Sequence, residues 1–269
     1  MGINEVQAKS ILNKTGIPGF GYAINPYTGC IHGCVYCYAR FMKRLTGHTE
    51  QWGSFLDAKV NAQEVLKRQL ERRRGPINDG VFLSSVTDPY LPAESRFQLT
   101  RGILEVLLEY QVPLSILTKS DLVLRDMDLL RQFEECNVGL SIMTVDEGIA
   151  RRFEPRAPSP MRRIEALRKL KEHDINTYAF ISPYLPRLSN IEQLMEALDG
   201  VVDEVGVEAL NTKEAYWWGV KRVLTHYYPE FLFNYKQLCK KGSYWNSLEG
   251  KARVLARHYG LAFTGLYRH

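Results

Sequence analysis

Short β-branched or apolar runs return along this chain, each followed by a longer amphipathic stretch. Residues 81–86, 114–118, 138–142, 176–181 and 201–207 read as strands, and a sixth lies around residues 22–24. Between them, Leu99, Ile103, Val106, Leu107 and Tyr110 recur at helical spacing, as do Met127, Leu130 and Phe133. Met161, Ile164, Leu167 and Leu170 form another stripe, opened by Ser159 and Pro160 as cap and first-turn residues. Ile191, Leu194, Met195 and Leu198 form the next, entered through Asn190 with Gln193 placed for a capping box, and Asn61 with Glu64 offers a similar start upstream. Parallel strands need crossovers of this length, so the pattern predicts an α/β chain built as a partial (β/α)6 barrel of the TIM type. Catalytic groups in such a barrel stand at the carboxyl ends of the strands. Here that ring reads Ser85, Thr87 and Asp88, then Thr118 and Lys119, then Ser141 and Thr144, then Ser182, then Glu208.

Just after the first strand, residues 25–40 read Asn-Pro-Tyr-Thr-Gly-Cys-Ile-His-Gly-Cys-Val-Tyr-Cys-Tyr-Ala-Arg. Cys30, Cys34 and Cys37 supply three thiolates, enough for three irons of a cubane 4Fe–4S cluster, in which each iron ordinarily takes one cysteine. The fourth iron is left without a protein ligand, and an open position on a reducible cluster suits catalysis better than electron storage. A structural zinc site wants four ligands, and His32 inside the loop is followed by no second pair at finger spacing. Five cysteines in 269 residues do not suit a secreted disulfide scaffold either. His32 reads as a loop residue that hydrogen-bonds near the cluster.

At 269 residues, with 45% hydrophobic and 24% charged residues, the chain suits a globular protein with a sizeable core. Its apolar runs fall short of a membrane span, and its first residues lack the pattern of an export signal. These features and the free thiols predict a cytoplasmic protein with no membrane partner. The net charge of +5 is compatible with a polyanionic substrate. Arg72-Arg73-Arg74 before Gly75 reads as a helix end, where cations meet the negative pole, in preference to a nucleic-acid contact. Residues 1–210 form the expected barrel with its cysteine loop. Residues 211–269 form an aromatic, basic extension with helices near 220–240 and 246–258, packed on the barrel with no Gly/Ser linker before it.

The three-cysteine spacing, with the aromatic Tyr36 before the last cysteine, resembles the radical S-adenosylmethionine (SAM) enzymes. The flanking Asn25-Pro26-Tyr27-Thr28-Gly29 and Cys37-Tyr38-Ala39-Arg40 are similar to the spore photoproduct lyase-like (DNA repair photolyase-like) group. So are Ser84-Ser85-Val86-Thr87-Asp88-Pro89-Tyr90, Ile116-Leu117-Thr118-Lys119-Ser120, Leu124-Arg125-Asp126 and Phe153-Glu154-Pro155. The resemblance implies a 4Fe–4S cluster and SAM at the open end of the barrel, cleaved reductively to a 5′-deoxyadenosyl radical that abstracts hydrogen from the substrate. It also implies a reducing partner such as flavodoxin or ferredoxin. Lys119 and Ser141 stand where the lyases contact the cofactor carboxylate, and a carboxylate beside a cluster calls for an ammonium. Thr87 and Asp88 occupy the place for the cofactor's amino nitrogen, although the Gly-Gly-Glu form of that motif is absent. Tyr36 would stack on the adenine. A lysine that merely follows a strand, a serine packed in the sheet and a tyrosine packed in the barrel are the plainer alternatives. Glu154 and Arg156 read as a salt-linked loop more than as contacts to ribose or substrate.

One departure stands out. Spore photoproduct lyase carries a hydrogen-donating cysteine on its second strand, where this chain has Ser84-Ser85-Val86. Cys136 reads as a buried residue at a helix end, which leaves Cys239 as the candidate catalytic thiol. The leading expectation is therefore a radical SAM enzyme, lyase-like, acting on DNA, RNA or a nucleotide, since aromatics stack bases and cations hold phosphates. Radical chemistry on a peptide, protein or small metabolite is a second reading. A cluster-bearing binding or electron-transfer protein that does not cleave SAM is a third. The extension at residues 216–245 is expected to close the barrel mouth and shape substrate choice.

Overall fold

The computed structural model describes residues 2–269. The chain opens with β1 (Gly2–Val6), β2 (Leu12–Lys14), β3 (Tyr22–Ile24) and β4 (Tyr27–Thr28). After the cysteine loop come α1 (Met42–Thr46), β5 (Phe55–Lys59), α2 (Ala62–Glu71), β6 (Val81–Leu83), α3 (Glu94–Phe97) and α4 (Leu99–Glu109). Then follow β7 (Leu114–Thr118), α5 (Met127–Leu130), β8 (Cys136–Ser141), α6 (Glu147–Phe153), α7 (Pro160–Glu172) and β9 (Asn176–Tyr184). The chain finishes with α8 (Ile191–Leu198), β10 (Glu204–Ala209), α9 (Glu214–Tyr227), α10 (Pro229–Lys240), α11 (Gly242–His258) and β11 (Ala262–Tyr267).

The main sheet runs β11-β10-β9-β8-β7-β6-β3-β2. Every neighbouring pair is parallel except β2 with β3. The six expected strands are therefore present as β3 and β6 to β10, in sequence order across the sheet. Because they are parallel, their carboxyl ends share one edge, and the cysteine loop leaves β3 on that edge. The apolar stripes of α4, α7 and α8 bury Ile103, Leu107, Ile164, Leu167, Leu194 and Leu198 against the sheet. The Ser159 hydroxyl caps α7 ahead of Pro160, and the Asn190 side chain accepts from Glu192 N and Gln193 N at the start of α8.

Several boundaries differ from the sequence expectation, each for a local reason. The strand expected at 81–86 ends at Leu83, because Ser85 N and Val86 N donate to the Asn25 side chain instead of a ladder. The run at 201–207 starts its strand only at Glu204, since Val201 N closes a turn onto Leu198 O. The stripe of Met127, Leu130 and Phe133 yields a 3-10 turn at Asp121–Asp126 and the four-residue α5. Asn61 does not cap α2; its amide clasps Ala8 through both backbone groups. Cys136 opens β8 instead of ending a helix, and is buried as expected. Arg73 lies past the end of α2, donating to the Tyr22 hydroxyl at 2.6 Å with its guanidinium 5.0 Å from the same ring.

Two features went unread in the sequence. A small sheet, β1-β5-β4, builds a second apolar cluster beside the cysteine loop from Tyr27, Cys30, Ala39, Trp52, Phe55 and Leu56, with others. The extension is not purely helical: it carries three helices and returns as β11, parallel to β10. Among the described residues, no helix is long and apolar enough to cross a membrane.

Candidate active site

The cysteine loop is pinned from four sides. From β6, the Asn25 side chain holds Ser85 and Val86, and the Thr87 hydroxyl donates to Gly29 O at 2.5 Å. From within, Arg40 forks onto the loop's own carbonyls, Cys37 O at 3.0 Å, Cys34 O at 3.3 Å and Val35 O at 2.8 Å. From the turn after α6, Phe153 O accepts from Val35 N at 2.9 Å and the Glu154 carboxylate accepts from the Tyr36 hydroxyl. The Arg156 guanidinium covers Gly33 and Gly53, both at positive φ, so that a β-carbon on either would strike it. From the extension, Gly219 of α9 lies so close that a β-carbon there would sit 2.1 Å from Val35 O.

Behind the loop, at the ends of β7 and β8, lies a buried polar network. The Lys119 ammonium donates to Ser141 Oγ at 2.9 Å, lies 3.8 Å from Glu154 Oε1 and stands 5.8 Å from the centre of the Tyr36 ring. Arg163, only 1% exposed, pairs with Glu154 Oε2 and donates to Ser141 O at 2.8 Å. Ser141 Oγ passes its own hydrogen to Ser182 O at 3.0 Å, and the Ser182 hydroxyl bonds Glu208. Burial alone would lower the Lys119 pKa, but the Glu154 carboxylate, with a smaller contribution from Cys34, reverses this and raises it. Burial likewise pushes the Glu154 carboxyl up, and Arg163 and Lys119 bring it below its ordinary value.

Asp88 ties the strand ends together. It accepts from Tyr90 N at 2.9 Å, Thr118 Oγ1 at 2.7 Å and Lys119 N at 2.8 Å, and His32 Nε2 approaches it at 3.3 Å. Burial opposes ionisation, yet the charge and hydrogen bond of His32 with the bonds from Thr118 and Lys119 bring its pKa to about 2.

The three thiols are held high by burial: Cys30 well above its ordinary value, Cys34 at about 12, and Cys37 raised as well. Ionising them together without a counter-charge is unfavourable, and bound iron is the counter-charge that reverses this. The Trp52 Nε1–H is buried with no hydrogen-bond partner among the described residues, and it lies near enough to Cys37 to favour that residue's thiolate. A loop of three thiols with a spare buried donor facing one of them fits a cluster. No three His, Cys, Asp or Glu side chains among the described residues gather as a single ion would need.

The structure thus brings Tyr36, Lys119 and Ser141 together beside Cys34, and sets Thr87 and Asp88 among the loop's supports. Glu154 is salt-linked, as expected. Cys239 is elsewhere: it is buried in α10 within the main core, its carbonyl accepts the Trp245 indole at 2.7 Å, and burial raises its thiol pKa to about 12. Arg40, Trp52 and Gly219 were not singled out in the sequence. Arg40 acts on backbone carbonyls and Gly219 through its own backbone, which no side-chain pattern announces, and Trp52 reaches the loop from a later turn.

The chain matches the Radical SAM superfamily over residues 24–200. An uncharacterized protein of Methanocaldococcus jannaschii is 40% identical over 228 residues, 85% of this chain and 84% of that one. A radical SAM Nalpha-GlyT isomerase of Pseudomonas phage M6 is 24% identical over 261 residues, 93% of this chain and 52% of that one. Spore photoproduct lyase complexed with dinucleoside spore photoproduct superposes with a TM-score of 0.70 at 17% identity, covering 98% of this chain and 82% of the lyase. A mutant of that lyase with bound AdoMet and the same dinucleoside gives 0.66, also at 17% identity, covering 99% of this chain and 81% of the lyase. The chain belongs to the radical SAM superfamily, is an enzyme of that class, and has the fold of spore photoproduct lyase.

Proposed function

We propose that Cys30, Cys34 and Cys37 hold a 4Fe–4S cluster, that SAM binds beside it against Lys119 and Ser141, and that the substrate is a nucleic acid or nucleotide. The observation that carries the reading is the three-thiol loop, braced at the edge where the parallel strands end, with the Lys119 ammonium next to Cys34. When bound, the cluster and SAM supply the reductive cleavage that starts hydrogen abstraction, fed by a cytoplasmic flavodoxin- or ferredoxin-class reductant.

The chain's own share is positioning. Lys119, oriented by Ser141 and Glu154, offers a charge-assisted donor to the cofactor's carboxylate. Tyr36, anchored through its hydroxyl, holds its ring for the adenine. Thr87 keeps the loop backbone in place, and Asp88, at the place for the amino group, acts by fixing the backbone of Lys119. Glu154 pairs with both Arg163 and Lys119, and its single negative charge against two cations leaves one positive charge for the cofactor's carboxylate.

The rim supports a nucleic-acid substrate. Tyr38 and Phe41 are exposed and stacked 6.4 Å apart, and Tyr216 and Arg222 lie within electrostatic reach of Arg40. Trp218 is exposed with the Lys221 ammonium 5.4 Å from its ring centre, a pairing of stacking surface and cation that nucleic acids use. The bound dinucleoside of the lyase points the same way. The test is anaerobic reconstitution, iron and sulfide analysis, and assay for 5′-deoxyadenosine with and without deuterium-labelled DNA, RNA or nucleotides. Deuterium recovered in 5′-deoxyadenosine from a nucleic-acid pool is the expected result; transfer only from peptides or metabolites overturns the substrate, and no cluster overturns the chemistry.

A further inference from the structure

Trp52 is 7% exposed and stands edge-on to Phe55 of β5, with ring centres 5.9 Å apart. It belongs to the apolar cluster that contains Cys30 and Ala39 and against which Cys37 packs. Its indole N–H is buried and has no hydrogen-bond partner among the described residues. Buried donors are rarely left unmet in a native fold, so an orphan of this kind points to an acceptor that arrives with a ligand. Cys37 is the neighbour that can become one. A neutral thiol is a weak acceptor, whereas a sulfur bound to iron carries more negative charge and draws an N–H more strongly.

We propose that Trp52 donates its indole N–H to the Cys37 sulfur of the loaded cluster and raises the cluster's reduction potential. The inference rests on the reading of the three cysteines as cluster ligands. Its physical basis is charge: one-electron reduction by the partner reductant adds negative charge to the cluster and its sulfurs, so a fixed N–H dipole stabilises the reduced form more than the oxidised one. Trp52 is then a positioning and tuning residue, one that touches a ligand and not the reacting carbon.

The probe is Trp52→Phe in the reconstituted full-length holoprotein. Phenylalanine keeps an aromatic ring against Phe55 and removes the donor, at the cost of a smaller side chain, which is why the resonance experiment on wild type stands beside it. Potentiometric titration followed by the electron paramagnetic resonance of the reduced cluster should place the variant at a more negative potential than wild type, at equal iron and sulfide content. Independently, reduced wild-type protein exchanged into D2O should show a deuteron coupling in electron–nuclear double resonance that carries over to indole-15N-labelled protein and is lost in the variant. Equal potentials with no such coupling would overturn the role of Trp52 and leave the cluster reading intact. If the variant holds no cluster, the wild-type resonance experiment alone decides. Wild-type protein that assembles no cluster would instead remove the reading beneath it.

Discussion

Gly219→Ala isolates the contact through which the C-terminal extension reaches the cysteine loop. The added β-carbon would lie 2.1 Å from Val35 O and 2.9 Å from Val35 C, whereas ordinary van der Waals contact begins at 3.4 Å. Helix and loop must therefore separate by 3.4 minus 2.1, or 1.3 Å, and both atoms are backbone, so no side chain can swing aside. Overpacking of this kind costs about 1–3 kcal/mol, and the rigidity of both partners favours the upper half of that range. Alanine in a helix interior returns about 1 kcal/mol relative to glycine. The expected net loss is about 1–2 kcal/mol in the urea unfolding of the metal-free protein. A second consequence is specific to the site. Val35 lies between two cysteines and its carbonyl accepts from Arg40, so its displacement should lower iron and sulfide content after reconstitution. A variant as stable as wild type, or more so, that loads a full cluster would show that α9 does not press on the loop.

Changing Cys37 to Ala should abolish the 4Fe–4S absorbance and SAM cleavage together; retention of both would refute the assignment of the loop. Lys119→Ala should leave the cluster absorbance intact and weaken SAM binding by about 1.5–3 kcal/mol, the range for a charge-assisted bond, with unchanged affinity in equilibrium dialysis counting against it. Asp88 has a folded-state pKa of about 2, below its ordinary 3.8. Its contribution is therefore present above about pH 4 and lost as pH falls toward 2, a difference of about 2 kcal/mol. Asp88→Asn should flatten that part of the stability–pH curve, and an equally steep acid loss in the variant would refute it.

The parallel strands and their order were legible because each pairs a short apolar run with a helical stripe, and the two periods of 2.0 and 3.6 residues do not mix. Strand ends were less so: Ser85 and Val86 have strand-like neighbours, yet the Asn25 side chain outcompetes the ladder for their N–H groups. The small sheet was missed because β1 is mostly exposed and β4 has two residues, too short for any alternation to register. At the site, the cysteine spacing and Lys119 stand out in the sequence as side chains such chemistry would need, and the structure sets the Lys119 ammonium against Ser141 and Glu154. Asp88 was read as a cofactor contact, and the structure fills its carboxylate with Tyr90, Thr118 and Lys119. A sequence shows that a carboxylate is present at a strand end, and it does not show how many donors already occupy it.

The extension is where sequence and structure part most usefully. The expected division at residue 210 marks a change in composition, but the sheet does not stop there. β11 returns to pair with β10 in parallel, so α9, α10 and α11 together serve as one more crossover of the same kind that links the barrel strands. A crossover helix in this fold packs on the outside of the sheet, and α9 does more than that because Gly219 lets its backbone meet the loop between Cys34 and Cys37. The first residues after the barrel therefore touch the cysteine loop, and the last ones extend the sheet at its far edge. A region tied at both places cannot move as a free lid over the mouth without breaking either the β10–β11 ladder or the Val35 contact. Tyr216 and Arg222 of α9 lie within electrostatic reach of Arg40, so the start of the extension stands beside the cysteine loop whether or not its later helices move.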